Sequence, residues 1–432
     1  MNAQQFLAQL AQKPTQRRNG EHLLTMSFLA EQTGLTEYPI PIILITGTCG
    51  KGSTQLFLSS ILQANGYHVG LIQSPHLISF SERIQRNQKP LPEAEILNKI
   101  NELLPVFESC LSIYPPNYNQ IFLTVGLHLF LKDPVDFILI ESGIGGYSDP
   151  CSYFDPLLSI ITNIHKDHEF LLGNTHESIA YDKSGIIKYK KQMITGAMVP
   201  EAIRILREEA LKKEAPFFAL GEHFHMENKE TNMIYSDEEL EFPIPLNDLP
   251  DFQWNNIALA MKASLLIKDA GYKIELEQVC NGILQTKPPG RFEIISNSPL
   301  IVVDGAHNEE EIRQFCDTVR KLGCKHAYLI VGFSSNKDVA GMVSRLKSIE
   351  GTLLLTPHSN TQRTSNRDQL HSYIQEFESK CLLFDCLEDA FHYALQNLTE
   401  DDGILFTGSM FLAGDALKLL QSRDTLRLIT EQ

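Results

Sequence analysis

The segment Leu44-Ile45-Thr46-Gly47-Thr48-Cys49-Gly50-Lys51-Gly52-Ser53-Thr54 gathers the residue types best suited to chemistry. A glycine-rich turn that runs into Lys-Gly-Ser-Thr is built to cradle an anion. Gly47, Gly50 and Gly52 let backbone N–H groups approach it, Lys51 supplies a point charge, and Ser53 or Thr54 can reach Mg2+. The ligand so described is a nucleotide held by its phosphates. The spacing is shorter than in the usual phosphate loop, since only Thr48 and Cys49 separate Gly47 from Gly50. An ordinary strand-to-helix turn is the plainer reading, and it leaves the Lys-Gly-Ser-Thr run without a purpose.

Further groups stand where buried strands should end. They are Ser74-Pro75-His76, then Glu141-Ser142-Gly143-Ile144-Gly145-Gly146, then Asp167-His168. A hydroxyl, a carboxylate and an imidazole brought together there would make a mixed oxygen and nitrogen metal site. Mg2+ takes few protein ligands and keeps waters and phosphate oxygens for the rest. Singly, each residue has a bland alternative. The glycines after Glu141 either admit a ligand to the backbone or serve a turn with positive φ. Asp182-Lys183-Ser184-Gly185 reads equally as a solvated helix face. Asp304-Gly305-Ala306-His307-Asn308 is either a polar group for a nucleotide sugar or a turn with a helix N-cap.

These residues need a scaffold that delivers them to one edge. Apolar runs at Ile40–Ile45, His68–Gln73, Val135–Glu141, Leu158–Ile164 and Met193–Gly196 read as strands. Helical patterns follow Lys51 and cover Pro92–Phe107, Phe122–Leu131 and Pro200–Lys213. That alternation specifies an α/β fold, a parallel sheet with helices on both faces whose ligands gather at the carboxyl ends of the strands. The pattern loosens from Gly221 to Pro250, as for a small antiparallel excursion, and Asn255–Ala270 returns to helix. The breaker cluster Pro288-Pro289-Gly290 places a boundary near residue 296. Strands at Leu300–Asp304, His326–Val331, Thr352–Thr356 and Ile404–Thr407, with a helix at Glu309–Leu322, then define a second, smaller α/β domain. The expected domains are residues 1–296, which carry the phosphate loop, and residues 297–432; the resemblance described below implies that the first also binds the acceptor substrate.

Composition narrows the function. Of 432 residues, 43% are hydrophobic and 21% charged, the balance of a folded chain. Thirty-seven basic against 53 acidic residues give a net charge of -16, which argues against nucleic acid as a partner. The 8 cysteines show no paired spacing, as expected for reduced thiols in the cytoplasm. The N-terminus lacks the apolar core of a signal peptide, and no apolar run reaches bilayer length. A soluble monomer acting on small molecules is expected.

Taken in order, the motifs GTCGKGST (Gly47–Thr54), SPHL (Ser74–Leu77), SERI (Ser81–Ile84), ESGIGG (Glu141–Gly146), DHEFLLG (Asp167–Gly173), DKSGIIK (Asp182–Lys188), FQWNN (Phe252–Asn256), PGRFE (Pro289–Glu293), DGAHN (Asp304–Asn308) and TGSMFLAGD (Thr407–Asp415) resemble the folylpolyglutamate synthase and dihydrofolate synthase family. This family is a branch of the Mur-type ATP-dependent amide ligases. The resemblance spans nearly the whole chain. It implies a P-loop ATPase domain followed by a Rossmann-like ligase domain. It also implies addition of L-glutamate to dihydropteroate or a folate polyglutamate through an acyl phosphate, with ADP and phosphate as products. A divergent Mur-type ligase joining an amino acid to a non-folate acid is the alternative.

The resemblance also implies site roles. Gly47, Thr48, Gly50, Lys51, Gly52, Ser53 and Thr54 would hold ATP, joined by Asn256, Arg291, Asp304 and His307. Ser74, Glu141 and His168 would hold one Mg2+, and Lys183, carbamylated in this family, would serve a second. Lys51, Lys183, His168 and Glu141 would be the catalytic set. Lys337 and Ser409 would meet the incoming glutamate. The two domains would close over the nucleotide about a hinge near Ser296–Pro299. The chain departs from the family pattern at Cys49, at Gln120-Ile121, at Tyr147–Ser152 and at Asn336. Asn119, Gln120, Ile121, Phe122, Ser148, Asp149 and Pro150 are therefore the positions expected to line an altered acceptor pocket.

Overall fold

β1 (Ile42–Thr46) is buried at every residue, so both of its faces need a covering layer. Alternation sends Ile43 and Ile45 to one face, where they meet Phe57, Leu58, Ile61 and Leu62 of the helix Lys51–Ala64 and Ile257 of the helix Phe252–Asp269. Ile42 and Leu44 point to the other face, into a cluster with Ile96, Phe107, Ile121 and Phe122 from the helices Glu93–Leu111 and Tyr118–Lys132. Each such side chain contributes about 1.5–3 kcal/mol when taken from water. The sandwich thus fixes the strand that carries the glycine loop.

The computed structural model describes residues 1–11, 20–167, 169–229, 232–245, 249–335, 337–361, 363–366, 368–370, 381–399 and 401–421. His168, expected as a metal ligand, and Asn336 lie outside the described residues.

Two compact units emerge, Met1–His76 with Phe80–Thr286, and Leu77–Ser79 with Lys287–Gln432. In the first, β2 (Val69–Ile72), β3 (Ile84–Arg86), β4 (Lys89–Pro90), β5 (Phe137–Glu141), β6 (Leu158–Ile161), β7 (Gln192–Thr195) and β8 (Phe217–Ala219) join β1 in the order β4-β3-β2-β5-β1-β6-β7-β8. The pairs from β2 to β8 are parallel, and β3 and β4 extend the β2 edge antiparallel. The loose region resolves into an antiparallel sheet of β9 (Phe224–Lys229), β10 (Asn232–Asp237) and β11 (Glu241–Pro245).

The second unit holds β12 (Glu293–Asn297), β13 (Leu300–Val303), β14 (His326–Val331), β15 (Gly351–Leu355), β16 (Cys381–Leu383) and β17 (Asp402–Thr407), in the order β12-β13-β17-β14-β15-β16. Among these described strands the β12–β13 pair is antiparallel and the others are parallel. That pairing moves the division of the chain upstream of residue 296, to Thr286/Lys287. Residues 296–299, expected as a hinge, are the paired end of β12 (Ser296 and Asn297) and the turn of a hydrogen-bonded hairpin (298–299) within the second unit. Among the described residues no helix is long and apolar enough to cross a membrane.

Candidate active site

β2, β5, β1 and β6 are neighbours in the first sheet, so the segments following them lie side by side at its carboxyl edge. Those segments carry Ser74, Glu141, the glycine loop and residues 162–167. The four candidate groups of the first unit are therefore brought to one edge.

The glycine loop is held from behind by the segment after β6. Thr48 N donates to Asn163 O at 3.1 Å, and Cys49 N donates to Asn163 Oδ1 at 2.8 Å. The Thr48 hydroxyl donates to His165 O and accepts from His165 N, each at 3.0 Å. Thr162 Oγ1 donates to Cys49 O. Thr48, expected to touch ATP, has its side chain engaged in this staple. A Cβ on Gly47 would lie 1.8 Å from Thr162 Oγ1, so the residue is glycine because Thr162 occupies that space. Gly50 caps the helix Lys51–Ala64 at φ 81, and a Cβ there would lie 2.2 Å from Asn256 Oδ1. Asn256 sits directly on the loop, oriented by its Nδ2 donating to Gln253 Oε1 at 2.9 Å. Thr54 Oγ1 donates to Asn256 Oδ1 at 3.4 Å.

Two lysines converge on one carbonyl of this loop. Lys51 Nζ donates to Gly47 O at 3.1 Å and to Thr48 O at 3.0 Å. Lys183 Nζ donates to Gly47 O at 2.8 Å. Lys183 is only 4% exposed at the end of the helix His176–Lys183. Burial, and then the nearby Lys51 charge, lower its pKa to about 7 against the pull of Asp167, Asp182 and Asp149. An amine with that pKa is substantially neutral at physiological pH, whereas a solvated lysine is not.

The glycine run after Glu141 packs against this helix end. Gly146 N donates to Asp182 Oδ1 at 2.9 Å and Tyr147 N to Asp182 O at 2.6 Å. The Ser148 hydroxyl donates to Asp182 Oδ2. A Cβ on Gly146 would lie 2.4 Å from Lys183 O. Asp149 accepts from Gly143 N at 2.8 Å, Ile144 N at 3.0 Å and Cys151 N at 3.0 Å. Burial raises its pKa, while those donors oppose the rise. Asp149 and Ser148, expected to meet substrate, thus brace the loop.

Ser74 N donates to Glu141 Oε2 at 3.3 Å, which joins the hydroxyl-bearing residue to the carboxylate at the end of β5. A Cβ placed on Gly143 would lie 2.3 Å from Asn119 Nδ2, 3.4 Å from Ser74 Oγ and 3.5 Å from Asp149 Oδ2. Asn119 therefore borders the Ser74–Glu141 pair. Its Oδ1 accepts from Arg83 Nη1 at 2.9 Å, and Arg83 Nε donates to His76 Nδ1 at 2.9 Å. The Arg83 guanidinium lies 4.8 Å from the Tyr118 ring centroid and 5.5 Å from that of Phe122, and those rings stack at 4.9 Å.

The neighbouring candidates face elsewhere. Gln120 completes a capping box with Asn117 and donates to His22 O at 2.9 Å, and Ile121 is core. Pro150 is buried in the first turn of the 3-10 helix Pro150–Tyr153. Helix capping and packing explain these three positions. Lone-residue reading missed Arg83, His76, Thr162, Asn163 and Asp182. Arg83, His76 and Asp182 stand inside motifs quoted above, so those motifs held the available signal.

In the second unit Asp304 is buried and accepts from Phe292 N at 2.7 Å and Ala306 N at 2.8 Å. Burial raises its pKa to about 6, against those N–H groups and the Arg291 charge. Arg291 Nη1 lies 2.8 Å from Met410 Sδ. His307 Nδ1 lies 3.0 Å from both Gly305 O and Glu311 Oε2. Burial acts to raise the Glu311 carboxyl pKa, but His307 and Arg291 hold it below the usual range. Arg291, Asp304 and His307 are thus one polar cluster. Ser409 caps the helix Met410–Leu420 by accepting from Phe411 N at 3.0 Å. Lys337 precedes the helix Val339–Leu346, with its N–H donating to Ser334 O at 3.2 Å.

Known proteins share this architecture. The family described as Mur ligase, glutamate ligase domain, matches residues 290–410. The chain is 29% identical over 429 residues to the folylpolyglutamate synthase of Lacticaseibacillus casei, covering 96% of this chain and 97% of that protein. It is 30% identical over 410 residues to the dihydrofolate synthase/folylpolyglutamate synthase of Bacillus subtilis (strain 168), covering 92% and 94%. Escherichia coli FolC in complex with DHPP and ADP matches with a TM-score of 0.86 and 26% identity, over 98% of this chain and 99% of that one. An FPGS–AMPPCP complex matches with a TM-score of 0.81 and 26% identity, over 98% and 100%. Fold and site together define an ATP-dependent acid–amino-acid ligase of the Mur type. The chain belongs to the folylpolyglutamate synthase/dihydrofolate synthase family.

Proposed function

We propose that this ligase adds L-glutamate to dihydropteroate, to the glutamate tail of a folate, or to both. The reading is carried by one observation, the buried Lys183 amine bonded at 2.8 Å to the carbonyl of the loop that Lys51 also grips. A lysine with a pKa near 7 has a nucleophilic lone pair and can take up carbon dioxide, which replaces its positive charge with a carboxylate. A solvated helix face explains neither its burial nor its partner.

In this mechanism the amides of residues 50–53 hold the nucleotide phosphates and Lys51 neutralises charge that builds on the γ-phosphoryl group. An acceptor carboxylate oxygen bonds to the γ-phosphorus as the bond to ADP breaks, giving an acyl phosphate. The glutamate α-amine then attacks the acyl carbon, loses a proton, and phosphate departs. Asn119 and Arg83 wall the acceptor side of the Ser74–Glu141 pair. Excluding water from the acyl phosphate is essential, because hydrolysis would waste it.

Ser74 and Glu141 offer oxygen donors, the chemistry that a hard divalent cation prefers, and Lys183 would add another once carbamylated. His168 keeps the ligand role implied by resemblance. The donor set fits Mg2+, which when bound supplies further neutralisation of phosphate charge. In the second unit, Arg291, Asp304 and His307 keep the proposed ATP-contacting role, and Lys337 and Ser409 the glutamate-contacting role. The protein is proposed to act as a cytoplasmic monomer, which light scattering checks.

The test is phosphate release across a panel of acids. Release that requires glutamate together with dihydropteroate or tetrahydrofolate supports the reading. Release only with an unrelated acid overturns it.

A further inference from the structure

The helix Phe252–Asp269 carries Asn256 to the glycine loop, and packing fixes its backbone there. Ile257, Ala260 and Met261 are fully buried in one apolar cluster with Phe57, Leu58 and Ile61 of the helix Lys51–Ala64. This places the Cα and Cβ of Asn256. It does not place the amide, because the last torsion of an asparagine is broad and nearly two-fold. Either the oxygen or the nitrogen could face the loop.

One neighbour makes the choice. Gln253 lies one turn earlier on the same helix, and positions three apart share a face. Its Oε1 accepts from Asn256 Nδ2 at 2.9 Å. With the nitrogen so held, Asn256 Oδ1 turns to the loop. It accepts from Thr54 Oγ1 at 3.4 Å and would lie 2.2 Å from a Cβ on Gly50. Gly50, Thr54, Gln253 and Asn256 all belong to the first unit.

Gln253 is not explained by stability. Its side chain is 0% exposed, and its Nε2 has no hydrogen-bond partner among the described residues. Buried donors in native proteins are nearly always paired, and one left unpaired is destabilising. An apolar side chain of similar length would fill the same space without an orphaned donor. Core packing therefore does not account for glutamine at this position, whereas the bond to Asn256 does.

From this we infer that Gln253 is a positioning residue for nucleotide binding: it acts through Asn256, whose amide oxygen it holds toward Gly50 and Thr54. Being fully buried, Gln253 touches no ligand itself. The inference deepens the ligase reading and rests on it for the contact between Asn256 and ATP. The orientation of the amide stands on the geometry alone.

A double-mutant cycle tests it. Gln253→Met removes both the acceptor and the orphaned donor while keeping the length of the side chain, and Gln253→Leu repeats the change with a second apolar group. Asn256→Ala removes the amide. Ser264→Ala deletes a buried hydroxyl that donates to Met261 O at 2.7 Å on the same helix, and is the control for disturbing that helix. Calorimetry gives the ADP affinity, and nitrogen-15 asparagine labelling of ligand-free protein gives hydrogen exchange of the Asn256 side-chain amide. Gln253→Met and Gln253→Leu should speed that exchange by about tenfold or more and weaken ADP by about fivefold or more, with melting temperatures at or above wild type. The KM for ATP should rise while that for glutamate does not change. In the Asn256→Ala background, Gln253→Met should alter ADP affinity by less than about twofold, because residues that act as one unit are not additive. Ser264→Ala should leave exchange and affinity near wild type. Equal weakening by Gln253→Met in both backgrounds, or unchanged exchange of the Asn256 amide, overturns the inference. Wild-type ADP affinity in Asn256→Ala, with faster amide exchange in Gln253→Met, would uphold the orientation and count against the ATP contact of the ligase reading.

Discussion

Lys183 Nζ and Lys51 Nζ both donate to the carbonyl oxygen of Gly47, at 2.8 and 3.1 Å, from two helices far apart in sequence. Burial first, and then repulsion from the Lys51 ammonium, makes Lys183 release its proton more readily than a solvated lysine does. The arrangement makes sense if Lys183 carries a carboxylate in the working enzyme.

Lys183 should therefore react with carbon dioxide. Protein equilibrated with carbon-13 bicarbonate should show a carbamate resonance that is absent from Lys183→Ala. Turnover by Lys183→Ala should fall about a hundredfold or more, and bicarbonate should not restore it.

The lowered Lys183 pKa also gives a pH signature in the unmodified protein. The unfolded lysine titrates near 10.5 and the folded one near 7. Below pH 7 both states bind the proton and the group is silent. Between about 7 and 10.5 the unfolded chain binds more protons, so stability rises with pH by up to about 1.4 kcal/mol per unit from this group. Denaturant titrations without carbon dioxide should show that rise in wild type and a flatter profile in Lys183→Met.

Lys51→Ala and Glu141→Ala should each lose most turnover with the fold intact. Both side chains sit at the carboxyl edge, outside the apolar clusters that hold the sheet. A fall in kcat of about a hundredfold or more, with a melting temperature within a few degrees of wild type, is the expected pairing. Circular dichroism and a phosphate-release assay check it.

Asp149→Ala should act differently. It strips three backbone N–H groups of their acceptor, the Cys151 one buried and the Gly143 and Ile144 ones part-buried, at about 1–3 kcal/mol for a buried group left unpaired and less for the others. Its melting temperature should drop clearly, and the loop 142–151 should lose exchange protection. Thermal melts read with hydrogen exchange distinguish this brace from a substrate ligand.

What the sequence discloses depends on range. The loop Gly47–Thr54 and the strand ends at Ser74 and Glu141 are legible because each is a local run of apolar strand followed by polar residues. The division into two α/β units follows from the interruption near Pro288-Pro289-Gly290. Thr162 behind Gly47 and Asp182 beneath Gly146 are not legible, since their roles come from contacts between segments far apart in sequence. Gln120 and Ile121 were expected to line the acceptor pocket because they depart from the family pattern; their places in the capping box and the core of the helix Tyr118–Lys132 depend on where that helix begins, earlier than its apolar pattern suggests.

The central claim is that an acceptor carboxylate is activated as an acyl phosphate and captured by glutamate. Oxygen-18 in the acceptor carboxylate tests this directly, by mass spectrometry of the released phosphate. With labelled dihydropteroate or tetrahydrofolate, ATP and glutamate, one labelled oxygen should appear in phosphate for each amide formed. Amide formation with unlabelled phosphate, or no amide with either acceptor, would contradict the account.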